Sequence, residues 1–203
     1  MKKLYIFDFD GTLVNTFYDS VLSYNKALKQ HNLALYEYDK IENVDYTDFV
    51  NSMTHDEEVL ETYKEIYEGS EKENTLPYAG IVEVLQKLIN DGKELAICSN
   101  RIENQLILLT KKLFPKIKFK YIIGYIPNEG FKPNPSVMNR ILDNENYPKE
   151  EIVYIGDKKN DIVTAQNVEI DAVIVTWGQG DQEAYDDEYP IKVINKVEEL
   201  LEI

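Results

Sequence analysis

The chain has 203 residues, 43% of them hydrophobic, a single cysteine and a formal net charge of -15 at pH 7. That length and apolar content suit one large domain or a domain with an insertion, and exclude a disordered chain. The acidic surplus excludes a binder of phosphate backbones, which needs clustered Lys and Arg, and disfavours anionic membranes, so neither nucleic acid nor membrane is an expected partner.

Met1-Lys2-Lys3 followed by Leu4 to Phe7 is reminiscent of a signal peptide, but Asp8 and Asp10 cut the apolar run too short. No stretch approaches membrane-spanning length. Leu4 to Phe7 reads instead as a short buried strand, opening onto Asp8-Phe9-Asp10-Gly11-Thr12. Two carboxylates two residues apart at a strand end repel each other and lose hydration. A divalent cation or a bound phosphoryl group is the simplest offset to that cost.

Helical periodicity follows. Phe17, Val21, Tyr24 and Leu28 mark one helix, with Thr16 and Asp19 as a capping box, and Val59, Tyr63 and Ile66 mark another between a Thr54/Glu57 capping box and a Gly69 stop. Residues 36–53 show no clear period, and 70–75 read as a linker to Pro77. The aromatics Tyr18, Tyr36, Tyr46, Phe49 and Tyr67 read as packing, and His31 and His55 as helix-surface residues.

Strands and helices then alternate as βαβ units. Ile81, Val84, Leu85 and Leu88 form a helical stripe ending at Asp91-Gly92, and Glu94 to Cys98 a buried strand opening onto Ser99-Asn100-Arg101. Cys98 reads as a small buried hydrophobe, and a reducing, cytoplasmic location is the default. Leu106, Leu109 and Leu113 give a helix stopped before Pro115, and Tyr121 to Tyr125 a strand. Asn134 and Pro135 cap a helix carrying Val137, Ile141 and Leu142. Ile152 to Ile155 is a strand opening onto Gly156-Asp157. A short helix from near Asn160, a strand from Ala172 to Val175 and a closing helix from Val193 to Leu201 complete the chain. The whole predicts a doubly wound α/β core with a parallel sheet, residues 1–15 and 78–203, interrupted by a helical insertion at 16–77.

Four presumed strand ends carry polar groups: Asp8 with Asp10, Ser99-Asn100, Lys132-Pro133, and Asp157 with Asp161. Strand ends of a parallel sheet converge on one edge, so these groups can share a site. Acids for a cation, donors for phosphoryl oxygens and one balancing Lys are what phosphoryl transfer requires. Arg101 is open to two readings, a contact to an anionic substrate or a surface charge. Lys158 and Lys159 read as surface charges.

At these residues the chain resembles the haloacid dehalogenase superfamily of phosphotransferases. Asp8-Phe9-Asp10-Gly11-Thr12-Leu13-Val14 is similar to its first motif, Cys98-Ser99-Asn100 to its second, Lys132-Pro133-Asn134-Pro135 to its third and Gly156-Asp157-Lys158-Lys159-Asn160-Asp161 to its fourth. The insertion resembles the superfamily's helical cap, and Thr176-Trp177-Gly178-Gln179-Gly180 a segment common in phosphoglycolate-phosphatase-like members. The resemblance implies a Rossmann-like core with Asp8 as nucleophile and Asp10 as acid and base. It implies Mg²⁺ at Asp8, Asp10 (through its backbone carbonyl) and Asp157, with Ser99, Asn100 and Lys132 on phosphoryl oxygens and Thr12 and Asp161 in support. The segment 41–48 lacks the Gly-containing loop that capped relatives often carry, which leaves the substrate open.

The expected function is a Mg²⁺-dependent phosphatase acting on a small soluble phosphate monoester, phosphoglycolate-like in the first instance. The alternatives are a sugar phosphomutase of the same superfamily, a phospho-acceptor signalling domain and a catalytically silent binding protein. Asp10 argues against the signalling domain, which needs no leaving-group acid, and against dehalogenation, which needs no proton transfer. Monomer and dimer both stay open.

Overall fold

In a computed structural model, which describes all 203 residues, the chain divides into two units, Met1–Val14 with Pro77–Ile203 and, inserted between them, Asn15–Leu76. Each crossing lies one residue earlier than the sequence pattern indicates. The elements in order are β1 (Leu4–Phe7), β2 (Val14–Asn15), α1 (Phe17–Gln30), α2 (Tyr46–Ser52), α3 (Glu57–Gly69), β3 (Leu76–Pro77) and α4 (Ile81–Asn90). They continue with β4 (Glu94–Ile102), α5 (Glu103–Leu113), β5 (Tyr121–Tyr125), α6 (Pro135–Leu142), β6 (Ile152–Gly156), α7 (Lys159–Val168), β7 (Asp171–Val175), α8 (Gln182–Tyr185) and β8 (Lys192–Ile194). No helix is long and apolar enough to cross a membrane.

The larger unit is built on a six-stranded parallel sheet of order β5-β4-β1-β6-β7-β8. All four residues of β1 are buried, pairing with Glu94 to Ile97 on one side and Ile152 to Ile155 on the other. Because successive strand residues face opposite ways, two cores form. Tyr5, Phe7, Leu95, Ile97, Val153 and Ile155 pack with Ile81, Leu85 and Leu88 of α4 and Leu106 of α5. Leu4, Ile6, Ala96, Cys98, Ile152 and Tyr154 pack with Val137 and Ile141 of α6 and Ala165 and Val168 of α7. Each fully buried aliphatic or aromatic side chain contributes roughly 1.5–3 kcal/mol, which anchors β1 on both faces. The same alternation sends Phe9 into the first core, and Asp8, next in phase after Leu4 and Ile6, to the face of α6 and α7. Connections from β1's two neighbours run in opposite directions along the sheet. β1 therefore ends at the switch point, where such sheets hold ligands.

In the inserted unit, Phe17, Val21 and Tyr24 of α1 bury against Phe49 of α2 and Val59 of α3, with Phe49 edge-on to Phe17 and Tyr24 at 5.5 Å each. Tyr18, Tyr36 and Tyr46 border this cluster, while the Tyr67 ring lies under the Lys72 ammonium at 4.0 Å.

Local signals mislead in four places. No closing helix runs from Val193. Lys192–Ile194 joins the sheet beside Val173–Val175, and only 3-10 turns follow over Val197–Glu202. The Glu199 carboxylate accepts from the backbone N–H groups of both Asn195 and Lys196, starting those turns after the strand rather than through it. Thr16 makes no cap bond. Asn15 Oδ1 takes the Phe17 N–H instead, and Asp19 turns to Thr75 Oγ1 (2.7 Å) and Asn74 Nδ2 (3.0 Å), a tertiary pairing that outcompetes the capping box. Asp56, not Thr54, caps α3, and the unpatterned stretch at 36–53 holds α2, capped by Asp45.

Candidate active site

β1 runs directly into Asp8, whose N–H continues the ladder by donating to Ile155 O at 2.8 Å. Asp8 Oδ1 accepts from Lys132 Nζ at 2.8 Å. Lys132 is 3% exposed and sits in the loop between β5 and α6, before a cis bond to Pro133. Its backbone is clamped by Asn100 from β4: Lys132 N donates to Asn100 Oδ1 (2.6 Å) and Asn100 Nδ2 donates back to Lys132 O (3.0 Å). An ammonium has three protons, and all are used here, on Asp8 Oδ1, Asp161 Oδ1 (2.8 Å) and the Tyr154 hydroxyl (2.7 Å).

Asp161 opens α7. Its Oδ2 accepts from the backbone N–H groups of Asp157 (3.2 Å) and Lys158 (3.1 Å), so it serves the helix N-terminus and the lysine together. Asp157 is fully buried after β6, accepting from Thr12 Oγ1 (3.3 Å) and from Gln179 N (2.7 Å). Trp177 Nε1 donates to Thr12 O (3.1 Å), bringing the late segment against the first turn. That approach demands glycine twice. Gly11 has φ +90°, and a Cβ there would lie 2.2 Å from Asp157 Oδ2, while a Cβ on Gly178 would lie 2.2 Å from Gly11 O.

Three carboxylates, those of Asp8, Asp157 and Asp161, therefore bring oxygens within 4.8 Å of one another. The side chain of Asp10, expected from the first motif to stand in that neighbourhood, does not join them. Both its oxygens are taken by Arg101, from Nε at 3.1 Å and from a terminal amino nitrogen at 2.6 Å. The surface reading of Arg101 is corrected, since its side chain is 6% exposed. Ser99 is buried at the end of the same strand, its Oγ accepting from Arg101 N at 3.2 Å. Lys158 Nζ reaches Gln179 Oε1 (3.2 Å) and lies near enough to Asp157 for its charge to favour the ionised carboxylate, while Lys159 pairs with Asp187.

The sequence reading missed Tyr154. Its hydroxyl lies between Lys132 Nζ, Asp161 Oδ1 and the Cys98 carbonyl, all within 3.0 Å. A phenol inside the apolar strand Ile152–Gly156, in phase with Ile6 and Asp8, needs a buried polar partner, and that was the available signal.

Burial pushes Asp8 up to about 6 against the pull of Lys132, and burial with repulsion from Asp161 and Asp8 pushes Asp157 to about 8. Burial works against the Lys132 charge, but Asp161 and Asp8 outweigh it and hold the ammonium above its ordinary range. Burial drives the Cys98 thiol to about 12, consistent with an inert core residue. The Lys132 ammonium thus bonds directly into a cluster of three buried acids. A divalent cation bound by the hard oxygens of Asp8 and Asp157 fits this donor set, whereas Asp161, whose oxygens accept from Lys132 and from two backbone N–H groups at the start of α7, is suited to holding the lysine.

A thermal measurement follows. In the unfolded chain these two carboxyls return to the ordinary value of 3.8. Between about pH 4 and pH 8 the folded protein holds protons that the unfolded chain has released, so raising the pH through that window favours unfolding. In chelator, Tm is expected to fall between about pH 5.5 and pH 8, and millimolar Mg²⁺ to restore more of it at the higher pH. A Mg²⁺ increment equal at both pH values would contradict the acid cluster as the binding place.

The sequence profile of a family described as haloacid dehalogenase-like hydrolase matches residues 5–175. Pyrophosphatase PpaX of Bacillus mycoides is 28% identical over 212 aligned positions, covering 98% of this chain and 94% of that protein. Phosphoglycolate phosphatase 1 of Pseudomonas aeruginosa is 24% identical, covering 99% of this chain and 79% of the relative. In fold, the chain superposes on a haloacid dehalogenase-like family hydrolase from Streptococcus pneumoniae with a TM-score of 0.81 at 21% identity, covering 99% and 97% of the two chains.

Proposed function

The chain belongs to the haloacid dehalogenase-like hydrolase family, and from that membership we propose that it is a Mg²⁺-dependent phosphatase of small phosphorylated metabolites, working through a phosphorylated Asp8. The observation that carries this reading is the buried ammonium of Lys132 between Asp8 and Asp161, 2.8 Å from each, with Asp157 in the same cluster. Asp8 and Asp157 would hold Mg²⁺ together with the Asp10 backbone carbonyl, and the bound ion supplies Lewis-acid neutralisation of phosphoryl charge.

The chain's own groups do the rest. A carboxylate oxygen of Asp8 attacks phosphorus as the bond from phosphorus to the leaving oxygen breaks, and Asp10 gives its proton to that oxygen. Water then attacks the same phosphorus, its proton passing to Asp10. The acyl-phosphate bond breaks, Asp8 returns as carboxylate, and inorganic phosphate departs. Lys132 keeps Asp8 ionised against its burial and balances charge that develops on the phosphoryl oxygens. Asn100 sets the lysine's backbone, and Ser99 lies at the same strand end to meet a phosphoryl oxygen.

Relatives named for pyrophosphate and phosphoglycolate support a small substrate. The test is phosphate release in Mg²⁺ over phosphoglycolate, pyrophosphate, sugar phosphates and nucleoside monophosphates. Release from at least one, silenced by EDTA, is expected. Release undiminished in chelator, or from none of them, would overturn the proposal.

A further inference from the structure

We infer that Arg101 selects substrates carrying a second anionic group next to the phosphoryl group, by exchanging its hold on Asp10 for a hold on that anion. The inference rests on the phosphatase reading above, in which Asp10 is the leaving-group acid.

The starting point is a conflict of duties at Asp10. Its two carboxylate oxygens both accept from Arg101, at 3.1 and 2.6 Å, in the paired geometry that makes arginine the strongest partner for a carboxylate. In that arrangement the group faces the guanidinium rather than a leaving oxygen. It must swing out to deliver a proton. Doing so breaks both charge-assisted hydrogen bonds to a guanidinium whose side chain is 6% exposed, and losing them is costly. A substrate that brings its own anion to Arg101 offsets that cost and releases Asp10 in the same event. A neutral leaving group offers no such exchange.

The position of Arg101 is fixed well enough to act this way. It follows Ser99-Asn100 on the extended end of β4, its N–H donates to Ser99 Oγ, and a Cβ on Gly124 of β5 would lie 2.6 Å from its carbonyl oxygen. Its backbone is thus packed closely against the next strand, and the side chain is the part that can change partner. Distance agrees as well. Arg101 starts within about 3 Å of the Asp10 carboxyl, and the leaving oxygen must come within about 3 Å of that same carboxyl once it has swung out. An anion one or two bonds beyond that oxygen falls within reach of Arg101. A second phosphoryl group across an anhydride and a carboxylate one methylene away both meet this description; a sugar hydroxyl does not.

The experiment compares phosphoglycolate and pyrophosphate with 2-hydroxyethyl phosphate, in which a CH2OH replaces the glycolate carboxylate, in Mg²⁺ with the full chain and with Arg101→Gln and Arg101→Lys. Wild type is expected to prefer the better of the two substrates with a second anion over the neutral one by roughly 10–100-fold in kcat/KM, the scale of one charge-assisted pairing. Arg101→Gln should bring that ratio to within about threefold. Arg101→Lys, which keeps the buried charge but not the planar fork, should fall between. Two outcomes overturn the inference while leaving the phosphatase reading intact: wild type that hydrolyses all three compounds without preference, and an Arg101→Gln protein whose rates fall by one common factor. Absence of release from all three in wild type would overturn this inference, and release from the sugar phosphates or nucleoside monophosphates of the wider panel then decides whether the phosphatase reading stands without it.

Discussion

Asp8→Asn is expected to lower phosphate release by about 10⁴-fold or more while the protein stays folded, because the variant loses the one nucleophile and little else. The carboxamide introduced there would keep an oxygen to accept from Lys132, and Lys132 would keep its bond to Asp161. The exchange also removes a carboxylate that burial already pushes up to about 6. In chelator near pH 8, Tm should therefore equal or exceed that of wild type. Steady-state release and circular dichroism on the same preparation measure both halves. An active Asp8→Asn protein would refute Asp8 as nucleophile, whereas an inactive protein that has lost its helical signal would refute the stability argument.

Lys132→Met is expected to damage activity and stability at once. It removes the ammonium that hydrogen-bonds the cluster and leaves Asp8, Asp157 and Asp161 buried around an apolar chain. Removing one partner of a buried pair costs about 3–5 kcal/mol. For a chain of this size that corresponds to a fall in Tm on the order of 10 °C. The dependence on pH makes this diagnostic. Acids that have lost their cation take up protons instead, so the penalty should shrink toward pH 5 and grow toward pH 8, by thermal melts across that range. A penalty independent of pH would mean that Lys132 acts through packing alone. Release should drop by roughly 10³-fold, the scale of losing one fixed group that stabilises transition-state charge.

The architecture was largely legible from periodicity. Runs such as Leu4–Phe7 and Ile152–Gly156, apolar throughout because both sheet faces are covered, announce a parallel sheet. The edge was not. Lys192–Ile194 is too short to carry a strand signal, and Val193, Val197 and Leu201 mimic a helical stripe that Asn195-Lys196 interrupts. The capping boxes failed where a partner distant in sequence displaced the local one, as Asn74 and Thr75 did for Asp19.

At the candidate site, the strand-end rule brings Asp8, Lys132, Asp157 and Asp161 together because each lies just beyond, or is delivered to, a strand of one sheet edge. What it cannot supply is side-chain partnership across strands. That Asp10 turns to Arg101 rather than toward Asp157 depends on how far β4 extends past Cys98, an irregular stretch with no sequence period. Tyr154 was legible in principle, from strand phase and the rule that a buried hydroxyl needs a partner.

The most direct measurement is a rapid acid quench of the Mg²⁺-loaded protein turning over a phosphoryl-labelled substrate, followed by peptide mapping. Label is expected on the peptide that contains Asp8, released by hydroxylamine as an acyl phosphate would be and absent from Asp8→Asn. Turnover with no labelled protein, or label on any other residue, would contradict a phosphorylated Asp8.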